Sequence, residues 1–198
     1  MRNPQNKVLT LAAALEWRAQ VKRAGGTVVV TNGCFDVLHR GHAESLVAAR
    51  RLGHVLLVLL NSDDSVRRLK GPTRPIHNEQ DRAYVLAALE AVSAVVIFPG
   101  ERCDLELAQL APDIYAKSVE YRECQDPAEA ASLATCGAET VWLPVLDGYS
   151  TTTILAGGAT PAPPAGHQAA PYPAVPDGSP EGQRLSGGVA GAEPRRAD

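Results

Sequence analysis

Two histidines three residues apart, His39 and His42, flank Gly41 in the string Thr31-Asn32-Gly33-Cys34-Phe35-Asp36-Val37-Leu38-His39-Arg40-Gly41-His42. At the entry to a helix, that spacing puts both imidazoles on one face. The first N–H groups of such a helix lack intrahelical partners and carry partial positive charge, so they attract phosphate. Gly41 keeps the backbone open to close approach. These groups suit nucleotidyl transfer, in which a protein mainly positions the reactants and stabilises charge on the phosphorus oxygens. The bare His-x-x-His pattern fits equally half of a metal site or two solvated surface histidines. The string contains neither a GxGxxG fingerprint nor a GxxxxGK[ST] loop, which disfavours a dehydrogenase.

Further cations and hydroxyls could serve the same chemistry. Lys70 stands before Gly71 in Arg67-Arg68-Leu69-Lys70-Gly71 and reads as a residue of a loop, either meeting phosphate or simply solvated. Arg82 falls in the first turn of the next helix, where a cation opposes the helix dipole, so a phosphate partner is expected. Arg74, before Pro75, is a further candidate. Ser150 and Thr151 follow Gly148 at another helix start, where hydroxyls and N–H groups cap the helix or cradle phosphate.

The elements that must position these residues alternate between the two periods. Runs at Thr27–Val30, Val55–Leu60, Ala94–Phe98, Asp113–Ala116 and Thr140–Leu143 read as strands. The continuous apolar run Val55–Leu60 is the pattern of a strand covered on both faces. Helical patterns fall at Leu9–Arg23, Gly41–Leu52, Glu79–Ala91, Leu105–Leu110 and Ala128–Thr135. This alternation predicts a Rossmann-like, doubly wound parallel sheet of about five strands in a domain spanning residues 1–155. Such sheets bind ligands at the carboxyl ends of their strands. The His39–His42 string follows the first run.

From residue 156 to 198 the sequence is rich in Gly, Pro and Ala, without period or large apolar residues, and reads as a disordered tail. Lys and Arg number 19 against 22 Asp and Glu, giving a net charge of −3, which argues against a nucleic-acid partner. Four cysteines without CxxC spacing offer no zinc or disulfide framework and suit a reduced compartment. No apolar run is long enough for a signal peptide or a membrane span, so the expected location is the cytoplasm.

The string Gly33-Cys34-Phe35-Asp36-x-x-His39-x-Gly41-His42 resembles the signature of the cytidylyltransferase-like nucleotidyltransferases. Two further clusters, Asn61-Ser62-Asp63 through Lys70-Gly71 with Arg74-Pro75-Ile76 and Asp81-Arg82, and Gly148-Tyr149-Ser150-Thr151-Thr152, are similar to the branch that adenylylates heptose 1-phosphate. The resemblance implies transfer of AMP from ATP to D-glycero-β-D-manno-heptose 1-phosphate, with Mg²⁺ accompanying the pyrophosphate. It assigns His39, His42, Lys70 and Arg82 to the reacting phosphates. Asn32, Gly33, Cys34, Phe35, Asp36, Gly41, Lys117, Ser150 and Thr151 would hold the nucleotide, and no residue is assigned to the protein's own metal. It also implies a separate sugar kinase upstream and admits a homo-oligomer. One departure concerns specificity: the family's usual Lys-Gly-Gly-Asp-Tyr reads Lys117-Ser118-Val119-Glu120-Tyr121 here. Other readings are cytidylyl transfer to glycerol 3-phosphate or another phospho-alcohol, AMP transfer to phosphopantetheine, and a non-catalytic nucleotide-binding module.

Overall fold

The computed structural model describes residues 3–146 and 148–159. The stretch read as a tail lies outside the described residues from position 160 onward.

Six parallel strands form one sheet in the order β1-β4-β3-β2-β5-β6. They are β1 (Val8–Leu9), β2 (Val28–Gly33), β3 (Val55–Asn61), β4 (Ala94–Phe98), β5 (Ile114–Ser118) and β6 (Glu139–Leu143). The sixth strand, beyond the five expected, is β1. Its two residues pair with Val95 and Val96 of β4, so Leu9, the first residue of the expected helical pattern, belongs to a strand. The helix α1 instead spans Leu11–Arg23, because Thr10 is its N-cap and accepts from Ala13 N.

Side-chain alternation divides the core into two layers. Val29, Leu56, Val58 and Leu60 face α2 (Arg40–Arg50) and α4 (Glu79–Ala88) through Leu46, Ala49, Ala83 and Leu86. Val28, Val30, Leu57 and Leu59 face α1, α5 (Asp104–Leu110) and α6 (Pro127–Cys136) through Ala14, Leu107, Leu110 and Leu133. Every residue from Leu56 to Leu60 is fully buried. At about 1.5–3 kcal/mol for each such side chain, this strand is the main apolar anchor of the domain.

Two boundaries matter for function. Thr31, Asn32 and Gly33, read as loop from sequence, continue β2 in register with Val58, Leu59 and Leu60. Residues 63–70 form α3 (Asp63–Lys70) where a loop was expected. Ser62 caps it by accepting from Ser65 N, acidic Asp63 and Asp64 open it, and Gly71 closes it at φ 97°. The last helix, α7 (Thr151–Leu155), has five residues.

The chain runs from β2 outward to β3 and β4, then returns to β5 and β6 on the other side of β2. Strand order therefore reverses between β2 and β5, and the carboxyl ends of those two strands open a crevice.

Candidate active site

A cavity of about 570 Å³ occupies that crevice. Asn32, Gly33, Cys34, Phe35 and Asp36 enter its wall from the end of β2, and Lys117 enters from β5. His39, Gly41 and His42 come from the start of α2, Lys70 from the last position of α3, and Ser150 and Thr151 from the approach to α7.

His39 is the N-cap of α2, and its Nδ1 accepts from His42 N at 3.4 Å. An accepting Nδ1 belongs to a neutral ring whose proton sits on Nε2. The rings of His39 and His42 stack, with centroids 3.8 Å apart at 24°. The Phe35 ring lies tilted beside His42, with centroids 5.3 Å apart. His42 Nδ1 is buried without a hydrogen-bond partner. Burial, and secondarily the neighbouring His39, push the His42 pKa down to about 4. Burial lowers His39 as well. Two neutral imidazoles therefore stand together at the cavity, without the repulsion of two stacked cations.

The glycines in the string have packing reasons. A Cβ on Gly41 would lie 3.1 Å from the His39 ring and from Tyr149 Cβ. One on Gly33 would lie 3.0 Å from the Phe35 ring, which turns back through φ 43°. Thr151 Oγ1 donates to Val37 O at 3.4 Å and ties the start of α7 to the histidine loop.

Asp36 lines the cavity but its carboxylate is committed to structure. It pairs with Arg74 and accepts from Ile76 N at 2.6 Å and His77 N at 3.3 Å, which holds the 71–78 loop against the histidine loop. Lys70, on the last turn of α3, is among the cations at the cavity lip and has no ion pair among the described residues.

Arg82 is placed differently from its sequence expectation. It is not in the cavity wall but 2 % exposed beneath it. Its guanidinium donates to Cys34 O at 2.5 Å, His77 O at 2.9 Å and Asp63 Oδ1 at 2.7 Å. The cation near the α4 N-terminus is offset by the Asp63 carboxylate, and Arg82 braces three segments of the site.

Sequence reasoning gave no site role to several wall residues. Asn61 bonds Ser65, which is buried outside the wall, at 2.8 Å, and both reach Gly100 O. Tyr149 flanks His39 at 6.3 Å between ring centroids. Glu129, 3 % exposed on α6, reaches the cavity through contacts with Lys117 and Tyr115. The cap signals around Ser62 and Gly71 could have revealed α3. Nothing local marks Glu129.

Among the described residues no group of three or more His, Cys, Asp or Glu could hold a metal ion. No helix among the described residues is long and apolar enough to cross a membrane.

The switch-point crevice with paired imidazoles on a helix N-terminus defines a nucleotidyltransferase domain. The chain belongs to the cytidylyltransferase-like family, whose model matches residues 30–155. It is 46% identical over 138 residues to the bifunctional protein HldE of Streptomyces coelicolor, covering 70% of this chain and 30% of that protein. With the bifunctional protein HldE of Methylococcus capsulatus it shares 42% over 154 residues, 78% of this chain and 33% of the other. The chain thus spans about a third of the length of these curated relatives. The crystal structure of a lipopolysaccharide core biosynthesis protein from Thermoplasma volcanium superposes with a TM-score of 0.50 at 26% identity, covering 62% of this chain and 98% of that one.

Proposed function

We propose that this domain transfers AMP from ATP to a sugar 1-phosphate, with D-glycero-β-D-manno-heptose 1-phosphate as acceptor, giving ADP-heptose and pyrophosphate. The observation that carries the reading is the His39–His42 stack at the α2 N-terminus, facing a cavity that Lys70 also lines. The similarity to HldE proteins, and to a lipopolysaccharide core biosynthesis protein, supports an acceptor of the sugar phosphate class.

In this reading an ionised oxygen of the sugar phosphate attacks the α-phosphorus of ATP. A new P–O bond forms while the bond from the α-phosphorus to the bridging oxygen breaks, and pyrophosphate leaves with that electron pair. The attacking oxygen is already an anion at neutral pH, so no general base is needed. The imidazole N–H groups and the free N–H groups of α2 stabilise the charge that builds on the α-phosphate oxygens. The Lys70 ammonium draws in the triphosphate as a point charge. Mg²⁺ bound with the nucleotide would neutralise phosphate charge. A sugar kinase activity supplies the acceptor.

The test is pyrophosphate release, with Mg²⁺, each nucleoside triphosphate and a panel of sugar 1-phosphates and phospho-alcohols. Release with ATP and heptose 1-phosphate above other pairs is expected. Release confined to CTP with a phospho-alcohol, or no release with any pair, overturns the reading.

A further inference from the structure

Beneath the cavity a buried polar chain joins β2, β5 and α6. The hydroxyl of fully buried Tyr115 lies 2.7 Å from Asn32 Oδ1 and 3.1 Å from Glu129 Oε2. Lys117 Nζ donates to Tyr115 Oη at 3.0 Å and to Glu129 Oε2 at 2.8 Å. Glu129 Oε1 accepts from Cys103 N at 3.4 Å, which pins the carboxylate to the start of α5. Asn32, Lys117 and Glu129 all line the cavity, whereas Tyr115 does not.

The donors available in this chain fix its direction. A tyrosine has one O–H to give, and its shorter contact is to Asn32 Oδ1. Burial, with the adjacent Cys103 and Glu129, pushes the Tyr115 pKa upward, so the proton stays on the phenol. With Oδ1 engaged below, the amide of Asn32 has both N–H groups left for the cavity. The Lys117 ammonium has three N–H groups and spends two within the chain, which leaves one. Glu129 offsets the Lys117 charge. The Asn32 amide and the Lys117 ammonium therefore present donors at a wall that Glu129 keeps close to charge-neutral.

We infer that Tyr115 and Glu129 are positioning residues that aim the Asn32 amide and the Lys117 ammonium into the cavity as a fixed donor pair for acceptor atoms of the nucleotide. The inference rests on the nucleotide-binding reading of the cavity and adds residues to it that lie outside the histidine string. Acceptor atoms of this kind occur on phosphates and on the base or ribose.

Calorimetric titration of the full chain with ATP, and separately with tripolyphosphate, tests the pair. Tyr115→Phe keeps the ring in the apolar layer and removes only the hydroxyl that orients Asn32. ATP affinity should fall about tenfold, the scale of one well-placed hydrogen bond. In an Asn32→Ala background the same change should cost clearly less than it does in the wild type, since only Lys117 is left for the hydroxyl to hold. A purely structural role predicts additive losses and overturns the inference, as does wild-type affinity in Tyr115→Phe. Equal losses with both probes assign the pair to phosphate oxygens, and a loss with ATP alone assigns it to the base or ribose. Should Tyr115→Phe fail to fold, Glu129→Gln replaces it, with a similar loss expected; wild-type affinity there also overturns the inference. Wild-type protein that binds neither probe overturns it too. Wild-type protein that binds ATP but releases no pyrophosphate overturns the transfer reaction and leaves the donor pair standing.

Discussion

Arg82 donates to the carbonyl oxygen of Cys34, 48 residues upstream, at 2.5 Å, and so holds the histidine loop from below. The same guanidinium bonds Asp63 at the start of α3 and His77 O ahead of α4. Removing it strands the Asp63 carboxylate and two carbonyl groups at once.

Arg82→Ala should therefore destabilise the domain by about 3–5 kcal/mol, the range for breaking a buried ion pair by deleting one partner. Arg82→Lys should recover little, because one ammonium cannot span three acceptors arranged for a fork. Urea unfolding measures both. A stable Arg82→Ala protein with only its activity lost would return Arg82 to the reacting phosphates.

His39 caps α2 and, in the proposed reaction, also donates to the nucleotide, and one substitution separates the two roles. His39→Asn keeps a strong N-cap, so its melting temperature should stay within a few degrees of wild type. Its kcat should fall about 10²-fold, as when one oxyanion donor is removed. Equal turnover in the two proteins would leave His39 with capping alone.

His42 makes stability depend on pH in a definite direction. Its pKa falls from 6.5 to about 4 on folding, so between those values the unfolded chain binds the proton and the folded one does not. Stability therefore rises with pH across that window, and falls by on the order of 3 kcal/mol as pH drops from about 6.5 to 4. His42→Gln should flatten the slope, read from denaturation midpoints at a series of pH values. A phosphate ligand favours the protonated ring, so nucleotide binding near pH 6 should take up protons, measurable by calorimetry in buffers of different ionisation enthalpy.

Gly41 sets helix propensity against geometry. In an ordinary helix Gly→Ala stabilises by about 1 kcal/mol. Here the new Cβ would sit 3.1 Å from the His39 ring and from Tyr149 Cβ, so these neighbours must give way. The two effects should nearly cancel in melting temperature, while displacement of His39 lowers kcat/KM by about tenfold. A Gly41→Ala protein with wild-type kcat/KM would show that the contact is too soft to matter.

Much of the domain was legible in the residues themselves. The apolar run at Val55–Leu60 could only be a strand covered on both faces, and Ala94–Phe98 coincides with β4. The glycine and histidine spacing at 39–42 marked a helix start, because capping and phosphate attraction depend on contacts within a few residues. Local chemistry decided these features.

What sequence could not supply depended on contacts between distant segments. A cation at a helix N-terminus suggested phosphate for Arg82, and only the packing shows Asp63 and Cys34 O taking its donors. Thr31 to Gly33 read as loop because Asn and Gly are poor strand formers, yet pairing with β3 extends the strand through them. The stacking of His39 on His42 and the chain from Glu129 through Tyr115 to Asn32 required the sheet to bring α6 beneath β2. Sequence sets periods and caps, because those are short-range. Burial, pKa and hydrogen-bond direction are settled only when the whole sheet closes around a side chain.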